Sequence, residues 1–161
     1  MNEAMRVLFL CTGNSARSIF GEYLLRRIGQ GRFETYSAGT DPTGRVNPFA
    51  LQVLRELYHI SATAARSKSC DEYSDFYFDF VITVCDNARE TCPVWPGQPI
   101  IAHWGLPDPA LAVGTDVEIF REFRKAALHL QRRIELFCAL PFDKLDRLRL
   151  EKLTQDIGKT T

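Results

Sequence analysis

The chain has no excess of either charge: twenty Lys and Arg offset twenty Asp and Glu over 161 residues. That excludes the broad electrostatic footprint of a nucleic-acid binder or an anionic-membrane binder, so any attraction for an anion must be local. Long apolar runs are missing as well. No stretch approaches the length of a membrane span, and Met1 to Arg6 lacks the apolar segment that heads a secreted chain. The expectation is a cytoplasmic protein that engages neither membrane nor nucleic acid. There is no even, regularly spaced set of cysteines either. The five present, Cys11, Cys70, Cys85, Cys92 and Cys138, are odd in number and irregular in spacing, which argues against a secreted disulfide framework. In a reducing compartment such thiols are reactive, metal-binding or buried. The length suits one core and one domain over residues 1–161.

What is present concentrates near the start. Val7-Leu8-Phe9-Leu10 reads as a buried parallel strand, and Phe20, Tyr23, Leu24, Arg27 and Ile28 recur at helical spacing, so Cys11 to Arg17 is a strand-to-helix loop. In such a loop the N–H groups of Thr12, Gly13, Asn14, Ser15, Ala16 and Arg17 can curl into a concave nest at the positive end of the helix, suited to a tetrahedral oxyanion. Gly13 and Asn14 tolerate the positive φ that such a curl requires. The helix dipole and the Arg17 guanidinium favour a thiolate at Cys11, and the Ser18 hydroxyl is placed to hydrogen-bond it. A cysteine here is otherwise a small core residue. The conjunction of strand, Gly-Asn turn, Cys11, Arg17 and Ser18 favours a nucleophile beneath an oxyanion cradle.

This loop, Cys-Thr-Gly-Asn-Ser-Ala-Arg-Ser, resembles the phosphate-binding loop of the low-molecular-weight protein tyrosine phosphatase fold, in particular that of the arsenate reductases built on it. The rest of the chain suits an α/β protein. Phe33 to Ala38 predicts a strand; the resemblance implies that Ser37 hydrogen-bonds Asn14 and holds the nest open, whereas the residues alone give only a serine at a strand end. Asn47-Pro48 predicts an N-cap and first helical residue, followed by an apolar face of Ala50, Leu51, Leu54, Leu57 and Tyr58. Thr63 to Tyr77 is polar, with room for a short helix. Phe78 to Cys85 predicts a central strand, Asp86 to Pro99 an irregular segment, and Ile100 to Trp104 a fourth strand. Gly105 to Pro109 is too rich in Pro and Gly for regular structure.

From Asp116, Phe120, Phe123, Ala127, Leu130, Ile134 and Phe137 mark a sheet-covering helix that Pro141 stops. Leu145 to Ile157 predicts a further amphipathic helix closed by Gly158, so that residues 141–161 form a helical extension beyond the resembled family. The expected fold is a three-layer α/β/α domain: four parallel strands with helices on both faces and the anion loop after the first strand. Ligands in such sheets bind at the carboxyl ends of the strands, where Cys11 and Cys85 both fall.

The residues leave two readings of Cys85 and Cys92: a pair bridged by a returning chain, or two unrelated thiols. A zinc site from Cys85, Cys92 and His103 lacks a fourth ligand. The resemblance implies a relay in which Cys11 attacks arsenate, Cys85 attacks Cys11 to release arsenite, and Cys92 attacks Cys85. The resulting disulfide is left for thioredoxin, with glutaredoxin or another external thiol as alternatives. His103 to Ala110 is similar to the His-Trp-Gly stretch and Asp-Pro pair of those reductases, which makes Asp108 the general acid.

No tightly bound cofactor is implied. The oxyanion is arsenate, or the similarly shaped phosphate or sulfate, so a phosphatase and a non-catalytic oxyanion or arsenic sensor stand as alternatives. Tyrosine phosphatases of this fold carry aromatic residues after the Asp-Pro pair, where this chain has Ala110 and Leu111. Ala16 stands where many of the reductases have another cysteine. Some of the reductases bind potassium through Asn, Glu, Ser and Asp; Asn14, Glu22 and Ser37 match, but no aspartate lies between Thr63 and Ser67, so the potassium match is incomplete. Cys70 and Cys138 match no family role.

Overall fold

Val7 to Leu10 are fully buried because the strand they form is packed on both faces, as a continuous apolar run requires. In the computed structural model, which describes residues 3–161, that strand is β1 (Met5–Cys11). Met1 and Asn2, the first residues of the stretch read for a secretion segment, lie outside the described residues. β2 (Phe33–Gly39), β3 (Phe80–Thr83) and β4 (Ile100–His103) complete a four-stranded parallel sheet in the order β2-β1-β3-β4. The helices are α1 (Arg17–Gly29), α2 (Pro48–Tyr58), α3 (Asp86–Glu90), α4 (Asp116–Cys138) and α5 (Arg147–Ile157). From β1 the chain goes first to β2 on one side and later to β3 on the other, so the carboxyl ends of β1 and β3 flank the switch point where such sheets bind ligands.

Helices surround the sheet in the expected three-layer α/β/α manner. α1 packs on β1 because Gly21 faces Phe9: a Cβ at Gly21 would lie 2.4 Å from the Phe9 ring. α4 starts with a reciprocal capping box between Thr115 and Glu118 and buries Phe123, Ala127, Leu130, Ile134 and Phe137. Phe137 stands edge-on to Phe80 of β3 at 5.0 Å, and α2 joins α4 through stacked Phe49 and Phe123 at 5.5 Å. On Tyr36 of β2 sits a second aromatic cluster, Tyr73, Phe76 and Phe78, with Trp95 against Phe78. α5 packs along β4 at the sheet edge, where the Trp104 indole donates to the Thr154 carbonyl at 3.0 Å.

One segment differs from expectation. Asp86 to Glu90, read as irregular, is helical because the Cys85 sulfur caps it by accepting from the Ala88 N–H at 3.4 Å. Thiols are not among the residues that announce an N-cap, so the sequence gives no sign of this helix. The polar Thr63–Tyr77 segment does hold a short helix, a 3-10 helix at Cys70–Tyr73 capped by Ser69. Among the described residues no helix is long and apolar enough to cross a membrane.

Candidate active site

The loop between β1 and α1 turns its carbonyls outward. Cys11, Thr12, Gly13 and Ser15 accept from the N–H groups of Thr40, Asp41, Thr43 and Asn47 at 2.9 to 3.0 Å. With the carbonyls so occupied, the loop's amides are left over. Those of Gly13, Ser15, Ala16 and Arg17 donate to no other group among the described residues, and Ala16 caps α1 with no side-chain bond. These are four of the amides that the sequence assigns to an oxyanion nest. Asn14 has the left-handed backbone it requires, with φ 48°, and its N–H points at the Cys11 sulfur. Gly13, expected to share that positive φ, does not have it; its value is space, since a Cβ there would meet the Thr43 methyl at 3.1 Å. Gly39, at the end of β2, is needed for close approach: its Cβ would lie 2.4 Å from the Thr12 carbonyl oxygen.

Cys85 lies against Cys11. Each of the two thiols is the largest influence on the other's pKa, and the Thr12 hydroxyl is 3.2 Å from the Cys85 sulfur. Asn87 donates to the same hydroxyl at 3.0 Å, which leaves the single Thr12 proton for Cys85. The bond from Cys11 pulls the Cys85 pKa well down against the cost of burial, helped by Thr12, the Ala88 N–H and the Arg17 charge. Cys11 moves the other way: giving its proton toward Cys85 and being buried raise its pKa, against the pull of Arg17 and the Asn14 amide. The two sulfurs thus act as one acid that loses its first proton easily and its second with difficulty. The thiolate expected at Cys11 is thus a charge that Cys11 and Cys85 hold between them.

Arg17 reaches from the first turn of α1 to the Leu106 carbonyl at 2.9 Å and comes within 3.6 Å of the Asp108 carboxylate. Asp108 is thereby held at the rim of the nest, its other oxygen accepting from the Ala110 N–H at 2.9 Å. A cleft of about 840 Å³ opens beside it, lined by Leu106, Asp108, Leu111, Val113 and His129. Ser18 is fully buried, but the bond the structure gives it is from the Asn14 amide at 2.8 Å, not to the Cys11 sulfur. Ser37 likewise does not bond Asn14 directly. It donates to Glu22 at 2.6 Å and accepts from the Lys68 ammonium at 3.1 Å, and that ammonium also reaches Asn14 Oδ1 at 3.2 Å. Asn14, Glu22 and Ser37, the partial match to a potassium site, surround Lys68 Nζ.

Cys92 stands apart from the pair. Its neighbours are the Pro93 carbonyl, Trp95 and Cys70, and burial raises its pKa. His103 is engaged by Thr83 at 2.8 Å and Asp86 at 2.9 Å, and among the described residues no cluster of ligands suited to a metal is found. Cys70 is buried behind the aromatic cluster, and Cys138 ends α4; both pKa values are raised by burial. The sequence reading missed Lys68 and Asn87. Both lie in segments without periodicity, and their partners are more than fifty residues away along the chain for Asn14 and Thr12.

Residues 6–139 match the family described as low molecular weight phosphotyrosine protein phosphatase. An arsenate reductase from Halalkalibacterium halodurans is 36% identical over 131 residues, which span 81% of this chain and 93% of that protein. A solved arsenate reductase in its phosphate binding state superposes with a TM-score of 0.70 at 27% identity, covering 84% of this chain and 97% of the other. The thioredoxin-dependent arsenate reductase of Corynebacterium glutamicum superposes at 0.60 with 27% identity, covering 84% of this chain and 64% of that one.

Proposed function

The chain belongs to the low molecular weight phosphotyrosine protein phosphatase family, and from that premise we propose that it reduces arsenate to arsenite by a three-cysteine relay. The observation that carries the proposal is Cys85 beside Cys11 at the paired ends of β3 and β1, with Thr12 of the anion loop 3.2 Å from the Cys85 sulfur. Ester cleavage in such a cradle needs one sulfur, whereas reduction needs a second within reach of the first. Arsenate sits on the amides of Gly13 to Arg17 and on the guanidinium. Cys11, deprotonated by passing its proton within the sulfur pair, attacks arsenic, and Asp108 protonates the departing oxygen so that it leaves as water.

Cys85, giving the proton it took from Cys11 to the arsenic-bound oxygens, then attacks the Cys11 sulfur. An S–S bond forms, the S–As bond breaks with its electron pair going to arsenic, and arsenite leaves: As(V) becomes As(III) while two thiols become one disulfide. Once its sulfur is bound to Cys11, Cys85 is a poorer cap for the Ala88 N–H. α3 is only five residues long and loses its start, which frees the Asp86–Cys92 segment to bring Cys92 onto Cys85. That exchange releases Cys11 as a thiol and leaves a Cys85–Cys92 disulfide, which an external dithiol protein of the thioredoxin kind reduces. The stated dependence of the Corynebacterium relative on thioredoxin supports this partner. No resident cofactor enters, and a reducing cytoplasm suits five free cysteines.

The test is arsenite production with a recycling dithiol reductant. The unaltered protein turns over repeatedly, Cys11→Ser and Cys85→Ser yield none, and Cys92→Ser stops after about one arsenite per chain, as a relay cut at its last link must. Full turnover by Cys85→Ser and Cys92→Ser would end the relay. Repeated turnover by the unaltered protein excludes a mere sensor. Because Cys11, Arg17 and Asp108 also suffice for phosphomonoester hydrolysis, that activity is expected beside the reduction and survives Cys92→Ser.

A further inference from the structure

Lys68 is a buried lysine, 7% exposed, in a protein whose other lysines are exposed or half-buried at the surface. A buried ammonium persists only where oxygens replace its water. Here it donates to the Arg66 carbonyl at 3.0 Å, Ser37 Oγ at 3.1 Å and Asn14 Oδ1 at 3.2 Å, which uses all three of its protons, and Glu22 Oε1 stands at 3.9 Å. Ser37 turns its own proton to Glu22, so its lone pair is what the ammonium meets. Burial lowers the Lys68 pKa and Glu22 opposes that.

The same residue grips the loop through its backbone. Its N–H donates to Asn14 Oδ1 at 2.9 Å, and its carbonyl accepts from Gly39 at 2.8 Å. Asn14 donates an amide proton to Ser18, so both ends of its side chain are fixed while its backbone is held left-handed. Next to it, Ser67 donates to the Gly13 carbonyl at 2.9 Å. Segment 66–69 is thus a clamp on the part of the nest where Gly13 and Asn14 turn.

We infer that Lys68 is the positioning residue of the oxyanion loop, a resident cation that holds Asn14 in the receptive conformation and makes anion binding indifferent to dissolved monovalent cations. Without the ammonium, the carbonyl, hydroxyl, amide and carboxylate oxygens around it form a cage of the kind a potassium ion fills. The inference rests on the reading of Cys11 to Arg17 as an oxyanion cradle and not on reduction, so its test uses inorganic phosphate and no redox step.

Phosphate affinity is measured by calorimetry at fixed ionic strength in potassium chloride and in choline chloride. The unaltered protein binds equally in both. Lys68→Met binds about tenfold more weakly in choline, the scale of one lost charged hydrogen bond, and recovers most of that loss in potassium. A purely structural role for Lys68 would give a loss that is the same in both salts, and that result overturns the inference. So does unweakened binding by Lys68→Met in choline, or a several-fold gain by the unaltered protein in potassium. If Lys68→Met does not fold, Lys68→Gln takes its place with the same expectations, and the comparison on the unaltered protein decides by itself against the inference if potassium matters there.

Discussion

Thr12 shows how one hydroxyl sets the state of two sulfurs. It accepts from Asn87 and keeps its single proton free to steady a thiolate at Cys85. Thr12→Val keeps the shape and removes the donor, which raises the pH at which the pair loses its first proton. The pair's first pKa lies at about 5, so the thiolate fraction responds below it: alkylation by iodoacetamide at about pH 4 should slow several-fold, while alkylation well above the ordinary thiol pKa should be unchanged. An unaltered rate at the lower pH would show that Thr12 does not hold the charge. At this scale the placement of Cys11 and Arg17 at the two ends of one strand-to-helix loop was legible, because strand, turn and helix fall within a dozen consecutive residues. Ser18 and Ser37 were given the wrong partners for one reason: their bonds depend on a network with Asn14, Glu22 and Lys68, and the Lys68 part comes from a distant segment without pattern.

Between elements, contact is set by where side chains are withheld. Gly21 lies in the middle of α1, where alanine would ordinarily help a helix, yet the Phe9 ring occupies the space a methyl would take. Gly21→Ala is therefore expected to destabilise the protein by about 1 to 3 kcal/mol through overpacking, seen as a lower urea midpoint at unchanged m-value. A stabilised variant would mean that α1 sits farther from β1. α2 and α4 were legible to within a residue or two, since Asn47-Pro48 and the stripe from Phe120 to Phe137 each carry a start signal or a period. α3 was not, because its cap is a sulfur and it is too short to show a period. The extension beyond residue 141 was visible as a helix, but its place along β4 depends on Trp104 and Thr154, which are fifty residues apart.

The whole molecule supplies what no segment does alone. The parallel α/β class and the shared rim for Cys11 and Cys85 follow from alternating strands and helices, but the order β2-β1-β3-β4, which seats those two strand ends side by side, is a product of packing. That adjacency is what separates a reductive site from a hydrolytic one on the same scaffold. It is tested most directly by mixing reduced Cys92→Ser protein with one equivalent of arsenate, quenching with an alkylating agent and mapping the cysteines by mass spectrometry. The account predicts a disulfide joining Cys11 to Cys85, formed in step with the arsenite released. Arsenite released while both of these cysteines are recovered alkylated, or a disulfide from Cys11 to any other cysteine, would contradict it.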